Sequence, residues 1–203
     1  MKVLVAVLVL AAIVGGFLYI TGTFTHSGDN VTINDTNKIN EPMTPTERRE
    51  MKVAVTAFGD GESIPSTYTC DGADISPQIE WSGVPEGTRS LVLIMEDRDV
   101  PKNLRPDGLF VHWILSGISP TDRAVPEGGH VGNVGLNSGG KAAYIGPCPP
   151  PQYEPSEHRY IFTLYALDIT PSFAVAPEKD IVVAMMQGHI VAQAQYTGRY
   201  KRQ

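Results

Sequence analysis

Cysteine and clustered basic residues are both scarce in this chain of 203 residues, and each scarcity excludes a class of protein. Two cysteines are too few for the disulfide framework of a small secreted scaffold. The net charge of -6 argues against a surface that binds nucleic acid, although a local cationic pocket stays open. Neither Ser138 nor Ser156 lies in a G-x-S-x-G turn, the segment that carries the nucleophile of many hydrolases. We therefore expect neither a nucleic-acid partner nor turnover.

A long uncharged segment stands at the start of the chain. Residues 3–20 carry no charge, and the uncharged run continues to residue 25. Such a run can cross a hydrocarbon core of roughly 30 Å at about 1.5 Å per residue. It fits either a cleaved signal peptide, with Lys2 as its positive start, or a retained anchor. Because no A-x-A-like cleavage site lies near residues 21–25, we favour a transmembrane helix within residues 1–22.

Charges on the two sides of this segment predict its orientation. Lys2 precedes the segment, whereas Asp29 and Asp35 follow it and no basic residue occurs before Lys38. The positive-inside rule then places the rest of the chain outside the cytoplasm, as a membrane-anchored domain, or a secreted one if the segment is cleaved. Residues 23–50 are polar, lack hydrophobic periodicity and predict a linker, which leaves residues 51–203 as the folded domain.

The folded domain is predicted to be mostly β. Residues 51–58 and 190–200 alternate between apolar and polar side chains, as half-buried strands do. Continuous apolar runs, typical of fully buried strands, cover residues 90–96, 110–115 and 160–167. One helix is predicted over residues 178–186, because Pro177 precedes it and Gly188 follows it. This pattern favours a β-sandwich with one or two short helices.

Polar clusters beside these strands carry a family resemblance. Four short motifs follow one another in the chain: D-x-D-x-P at residues 97–101, H-W at 112–113, G-P-C-P-P at 146–150 and H-R-Y at 158–160. In this order they resemble the phosphatidylethanolamine-binding protein family, most closely its bacterial and archaeal Raf-kinase-inhibitor-like branch. The resemblance covers about residues 51–202 and implies a β-sandwich with a small anion pocket at one end.

The resemblance also implies which residues form the pocket and what it does. The matching positions are Asp97, Asp99, Pro101, His112, Gly146, Pro149, Pro150, His158 and Tyr160. We expect a non-enzymatic domain, without cofactor, that binds phosphate-like or phospholipid head-group anions beside the membrane. An alternative is an extracytoplasmic inhibitor of serine proteases or another protein-binding module, since family members include such regulators.

Elementary chemistry agrees with an anion site. An imidazolium pair formed by His112 and His158, together with loop N–H groups, could donate to phosphate oxygens, and Tyr160 could add its hydroxyl. A Val100–Pro101 cis bond would fit a fixed turn. His112 alone would be interpreted as a hydrogen-bonded core residue. A metal site is not favoured, because these side chains lack compact ligand spacing.

Two functional interpretations of the cysteines remain open. Outside the cell Cys70 and Cys148 could form a disulfide, which we favour, or they could stay as free thiols. A free Cys148 near His158 could act as a nucleophile. Prolines on both sides make it a poor mobile covalent centre, so we expect no enzyme here.

Overall fold

A computed structural model describes residues 50–202 of the chain. The predicted anchor at residues 1–22 and nearly all of the predicted linker at residues 23–50 lie outside the described residues. Within residues 50–202 the strands are β1 Lys52–Val55, β2 Ile79–Ser82, β3 Ser90–Asp97, β4 Phe110–Ile118, β5 Ala124–Val125, β6 Asn133–Val134, β7 Glu157–Leu167 and β8 Ile190–Lys201. The helix α1 spans Lys179–Met186, and a 3₁₀ turn spans Ser66–Tyr68.

The strands form two antiparallel sheets. The smaller has the order β1-β2-β5 and the larger has the order β6-β4-β3-β7-β8. The main core lies between them and contains Trp81 and Trp113. The mostly-β fold with a short helix is thereby confirmed for the described part of the chain.

Burial explains why some strands alternate and others do not. In β3 all eight residues are buried, because one face meets the main core and the other meets a second cluster under α1. A strand covered on both faces needs apolar side chains at nearly every position. In β1 only every second residue is buried, since its outer face meets solvent.

The helix α1 closes the outer face of the larger sheet. Val182 and Met186, one helical turn apart, pack into the cluster that contains Val92 and Ile94. At the start of the helix, Lys179 forms an ion pair with Glu96 of β3. In the part of the chain that the structure describes, no helix has the length and apolar character needed to span a membrane.

The sheet register brings three strand ends together. Asp97, the last residue of β3, pairs with Phe110 at the start of β4 and with Tyr160 near the start of β7. The loops that follow β3 and precede β7 therefore meet at one end of the larger sheet. This end carries most of the polar residues singled out in the sequence.

Candidate functional site

A cavity of about 170 Å³ opens at this end of the sheet. Its lining residues come from the ends of β3, β4 and β7, from the loop after β3 and from the loop before β7. They are Asp97, Val100, Phe110, His112, Ile145, Gly146, Cys148, Pro149, Pro150 and His158. The lining is mainly apolar, with one carboxylate and two imidazoles as its ionisable groups.

Asp97 and His158 form a buried pair across β3 and β7. The Nδ1 atom of His158 lies 2.6 Å from Oδ2 of Asp97, and the backbone N–H of Asp99 donates to Oδ1 at 2.9 Å. Burial lowers the pKa of His158, but the hydrogen bond to Asp97 and the charge of that carboxylate outweigh it, so the pKa is raised overall. The pair thus holds opposite charges side by side.

His112 is neutral, which corrects the expected imidazolium pair. Its Nδ1–H donates to the carbonyl oxygen of Ile145 at 2.6 Å, which leaves Nε2 as a hydrogen-bond acceptor. Burial lowers the pKa of His112 by more than the Ile145 carbonyl raises it. The residue is a hydrogen-bonded, buried histidine and also part of the cavity wall, so both interpretations of His112 describe it.

Two aromatic rings contact the imidazole of His112. Its ring centroid lies 4.8 Å from that of Phe110 and 5.1 Å from that of Tyr160, which meets it edge-on. Tyr160 is completely buried, and its hydroxyl has no hydrogen-bond partner within residues 50–202. Tyr160 therefore packs against a residue of the cavity wall and does not line the cavity itself.

Asp99 and Pro101 also lie off the cavity lining. The carboxylate of Asp99 points to Arg159, whose Nε and Nη2 donate to it at 2.8 Å and 2.6 Å. These hydrogen bonds hold the pKa of Asp99 below its usual range. The Val100–Pro101 bond is trans, since the cis peptide in the described residues is Glu154–Pro155.

The structure thus brings together six of the nine positions matched to the pocket. The six are Asp97, His112, Gly146, Pro149, Pro150 and His158. Sequence reasoning missed Val100, Phe110 and Ile145. Phe110 could have been found from its position two residues before His112, because such residues share one face of a strand.

A disulfide between Cys70 and Cys148 fixes the loop that forms one wall. The two Cα atoms are 5.4 Å apart, and the backbone N–H of Cys70 donates to the carbonyl of Pro147 at 3.1 Å. Gly146 is required in this wall, because a Cβ atom would lie 2.5 Å from the carbonyl oxygen of Tyr68. With both cysteines bonded, Cys148 has no thiol with which to act as a nucleophile.

Metal ligands do not converge in the described structure. Within residues 50–202 no three His, Cys, Asp or Glu side chains form a group able to hold a metal ion. The imidazoles and the carboxylate at the cavity instead engage one another and the backbone.

Comparisons with known proteins agree with the fold. A family model described as phosphatidylethanolamine-binding protein matches residues 54–201. A UPF0098 protein of Chlamydia pneumoniae is 43% identical over 153 residues, which are 75% of this chain and 99% of the relative. A UPF0098 protein of Methanothermobacter thermautotrophicus is 39% identical over 159 residues, again 75% of this chain and 99% of the relative.

Solved structures show the same architecture. A phosphatidylethanolamine-binding protein homolog from Chlamydia trachomatis superposes with a TM-score of 0.71 at 41% identity, over 76% of this chain and 99% of that one. Escherichia coli YbcL, described as a new member of the mammalian family, superposes with a TM-score of 0.67 at 26% identity. The match covers 76% of this chain and 100% of YbcL. Because the family model covers residues 54–201 and a relative that is 43% identical is matched along 99% of its length, the chain belongs to the phosphatidylethanolamine-binding protein family.

Proposed function

We propose that residues 51–203 form a non-enzymatic domain whose cavity binds a small ligand through a phosphate-like group. We further propose that residues 1–22 tether this domain to a membrane, on the side away from the cytoplasm. The observation that carries the ligand proposal is the neutral His112 beside the Asp97–His158 ion pair, in a cavity otherwise lined by apolar groups.

The size of the cavity favours a head group over a larger molecule. Pockets for drug-sized ligands have about 300–1,000 Å³, whereas this cavity has about 170 Å³. Val100, Phe110 and the prolines offer apolar contact to the carbon atoms of such a ligand. The disulfide at Cys148 and the neighbouring prolines fix the wall before binding, which lowers the entropic cost of association.

The charges in the cavity are compatible with an anion. The carboxylate of Asp97 would repel phosphate, but the raised pKa of His158 keeps a compensating positive charge at 2.6 Å. Nε2 of His112 can accept a hydrogen bond from the P–OH group of inorganic phosphate, or it can take up a proton and donate to a phosphate or phosphodiester anion. Protonation of Nε2 takes up one proton on binding, whereas a phosphate oxygen that already carries its proton donates without any uptake.

Proton uptake by Nε2 of His112 gives this arrangement a pH signature. Ligand binding should strengthen as the pH falls from 8 toward 6, by up to about tenfold per pH unit while one proton is taken up. A ligand bound only through apolar contacts would show no such dependence.

Calorimetric titration tests the proposal directly. Inorganic phosphate and glycerophosphoethanolamine are titrated into residues 51–203, a domain expected to fold alone because the Chlamydia pneumoniae relative consists of little else. His112→Phe keeps a ring between Phe110 and Tyr160 but loses Nε2, and binding should be lost. His189→Phe is the matched control, since His189 is exposed and pairs with Asp168. Equal binding by both variants would contradict the anion assignment.

We propose no turnover at this site. The disulfide removes the thiol of Cys148, and the remaining polar groups are a neutral imidazole and an ion pair. Generic ester and phosphoester substrates should stay intact in the presence of the domain. Product formation that His112→Phe abolishes would overturn this proposal.

The membrane tether is tested on the full chain. It should remain in the membrane pellet after carbonate extraction, whereas a chain beginning at residue 51 should not. Amino-terminal sequencing of the mature protein distinguishes a retained anchor from a cleaved signal peptide.

Protein-directed inhibition is a second candidate, favoured by the loop that leaves the disulfide. Gln152 and Glu154 are exposed on a segment that Cys148 anchors at its base. An exposed segment with a fixed base loses less entropy on docking into a protease. Inhibition of chymotrypsin-like proteases by the domain should survive His112→Phe, which separates this activity from ligand binding.

A further inference from the structure

The strand β8 forms one edge of the larger sheet, and only part of that edge is covered. Near its end, Gly61 donates its N–H to the carbonyl of Thr197 at 2.7 Å, and Asp60 accepts the Thr197 N–H at 2.8 Å. Arg199 donates to Glu62 at 2.9 Å and accepts from Ile64 at 2.8 Å. Residues 60–64 therefore cover the edge at positions 197–199.

The same backbone groups are open earlier in the strand. Strand geometry has a period of two, so Gln193 and Gln195 direct their backbone N–H and C=O groups outward, as Thr197 and Arg199 do. The pairing of β8 with β7 is continuous from Ala192 onward, so this parity holds. Among residues 50–202 these outward groups have no hydrogen-bond partner.

This open edge lacks the usual protection of sheet edges. Natural edge strands carry charged side chains or proline, which block pairing with another strand. Residues 190–196, with the sequence IVAQAQY, contain neither. Ile190 and Val191 are 44% and 47% exposed, which adds apolar surface at the beginning of the strand.

We propose that a second copy of this chain pairs with the open edge, antiparallel along β8, with a two-fold axis at Ala194. Gln193 of each copy then lies opposite Gln195 of the other, and their backbone groups exchange hydrogen bonds in both directions. Gln193 and Gln195 side chains meet on one face of the joined sheet. On the other face Ala194 meets its own counterpart, and Ala192 faces Tyr196, a small residue against a large one.

The limits of the open edge select this register. Thr197 is already bonded on both its N–H and its C=O, so pairing cannot extend past residue 196. At the other end the register with β7 shifts beside Leu167, which marks a bulge near Val191. Bulges bend the strand, and this one lies where residues 60–64 of the second copy would stand. Centring the axis on Ala194 uses both open residues of each copy.

Charge also favours a second copy as the occupant. The chain carries a net charge of -6, so two copies repel each other overall. Residues 190–196 are uncharged and avoid that repulsion. In a two-fold symmetric pair, the edge faces a copy of its own sequence. An uncharged edge therefore places no like charges opposite each other.

Sedimentation velocity across a concentration series tests the proposal on residues 51–203. The wild-type domain should form a concentration-dependent dimer. The double variants Gln193→Lys/Gln195→Lys and Gln193→Glu/Gln195→Glu should each weaken it by at least about tenfold, since like charges face each other across the axis. Mixing the two variants should restore a dimer, because each Lys then faces a Glu. A double variant away from this edge, Gln152→Lys/Gln187→Lys, should dimerise like the wild type.

Each other outcome overturns the proposal. A wild-type domain that stays monomeric at the highest concentration has no such dimer. Dimers that persist in both charged variants, or fail to form in their mixture, use another surface or register. If the domain dimerises but the full chain in detergent stays monomeric, the segment before residue 51 covers the edge instead. Circular dichroism of each variant confirms that the fold is retained.

Discussion

Two ion pairs lie next to each other between β3 and β7, and they differ mainly in exposure. His158 and Asp97 are 1% and 4% exposed and line the cavity. Asp99 lies in the loop two residues after Asp97, and Arg159 follows His158 in β7, with its side chain 54% exposed. In water an ion pair gains little, whereas a buried charge that loses its partner is costly. The buried pair should therefore control stability and ligand binding, and the exposed pair should only fix the direction of the loop after β3.

The largest loss of stability should come from breaking the buried ion pair between Asp97 and His158. Asp97→Asn keeps an oxygen acceptor for His158 but removes the charge, and it should lower the free energy of unfolding by about 3–5 kcal/mol. Urea unfolding of residues 51–203 measures the change. A loss similar to that of Asp99→Asn would contradict the contrast between the two pairs.

Removal of the disulfide should cause the second-largest loss of stability, and it leaves both ion pairs in place. It closes a loop of 78 residues, and removal of a native disulfide costs about 2–4 kcal/mol, largely by freeing the unfolded chain. Cys70→Ala/Cys148→Ala should show this loss in urea unfolding. Asp97→Asn should lower the free energy of unfolding by a similar amount with and without Cys70→Ala/Cys148→Ala, because the disulfide acts mainly on the unfolded chain.

The pH dependence of stability should separate the two histidines. The pKa of His112 is lowered in the folded state, so the unfolded chain takes up a proton first as the pH falls below about 6.5. Stability should fall there by up to about 1.4 kcal/mol per pH unit. The pKa of His158 is raised, so its contribution is complete below about 6.5 and is lost as the pH rises through its folded-state value.

Urea unfolding curves between pH 5 and pH 9 measure both losses of stability: the acid limb, assigned to His112, and the alkaline limb, assigned to His158. His112→Phe should flatten the acid limb and leave the alkaline limb unchanged. An acid limb that persists in this variant would assign it to a different group.

The smallest effect should come from the exposed pair. Asp99→Asn should cost no more than about 1 kcal/mol, and the cost should shrink in high salt, because exposed charges are screened. The hydrogen bonds from Arg159 lower the pKa of Asp99, so its contribution is present above the ordinary aspartate range and is lost as the pH falls below it. Urea unfolding at low and high salt tests the difference.

These contrasts show what a sequence can predict. The continuous apolar run of residues 90–96 predicted the buried strand β3, and Pro177 with Gly188 placed the helix to within one residue of α1. The motif order predicted that Asp97, His112 and His158 converge. The strands β5 and β6, with two residues each, are too short to leave a periodic pattern.

Charge states and side-chain directions were less predictable. The neutral form of His112 depends on burial and on the Ile145 carbonyl, which is distant in the sequence. Asp99 points away from the cavity because the register of β3 and β7 brings Arg159 within reach. Both features come from long-range pairing, which local patterns do not encode.

The disulfide also changes how the domain responds to mechanical force. The bond between Cys70 and Cys148 encloses β2, β3, β4, β5 and β6 in one covalent ring. Force applied at residues 51 and 203 passes through the sulfur atoms and never stretches the chain inside the ring. At about 3.5 Å per extended residue, a separation of 78 residues withholds about 270 Å of contour length. With the disulfide intact, the domain therefore extends far less under force than the reduced chain, even after both sheets have unfolded.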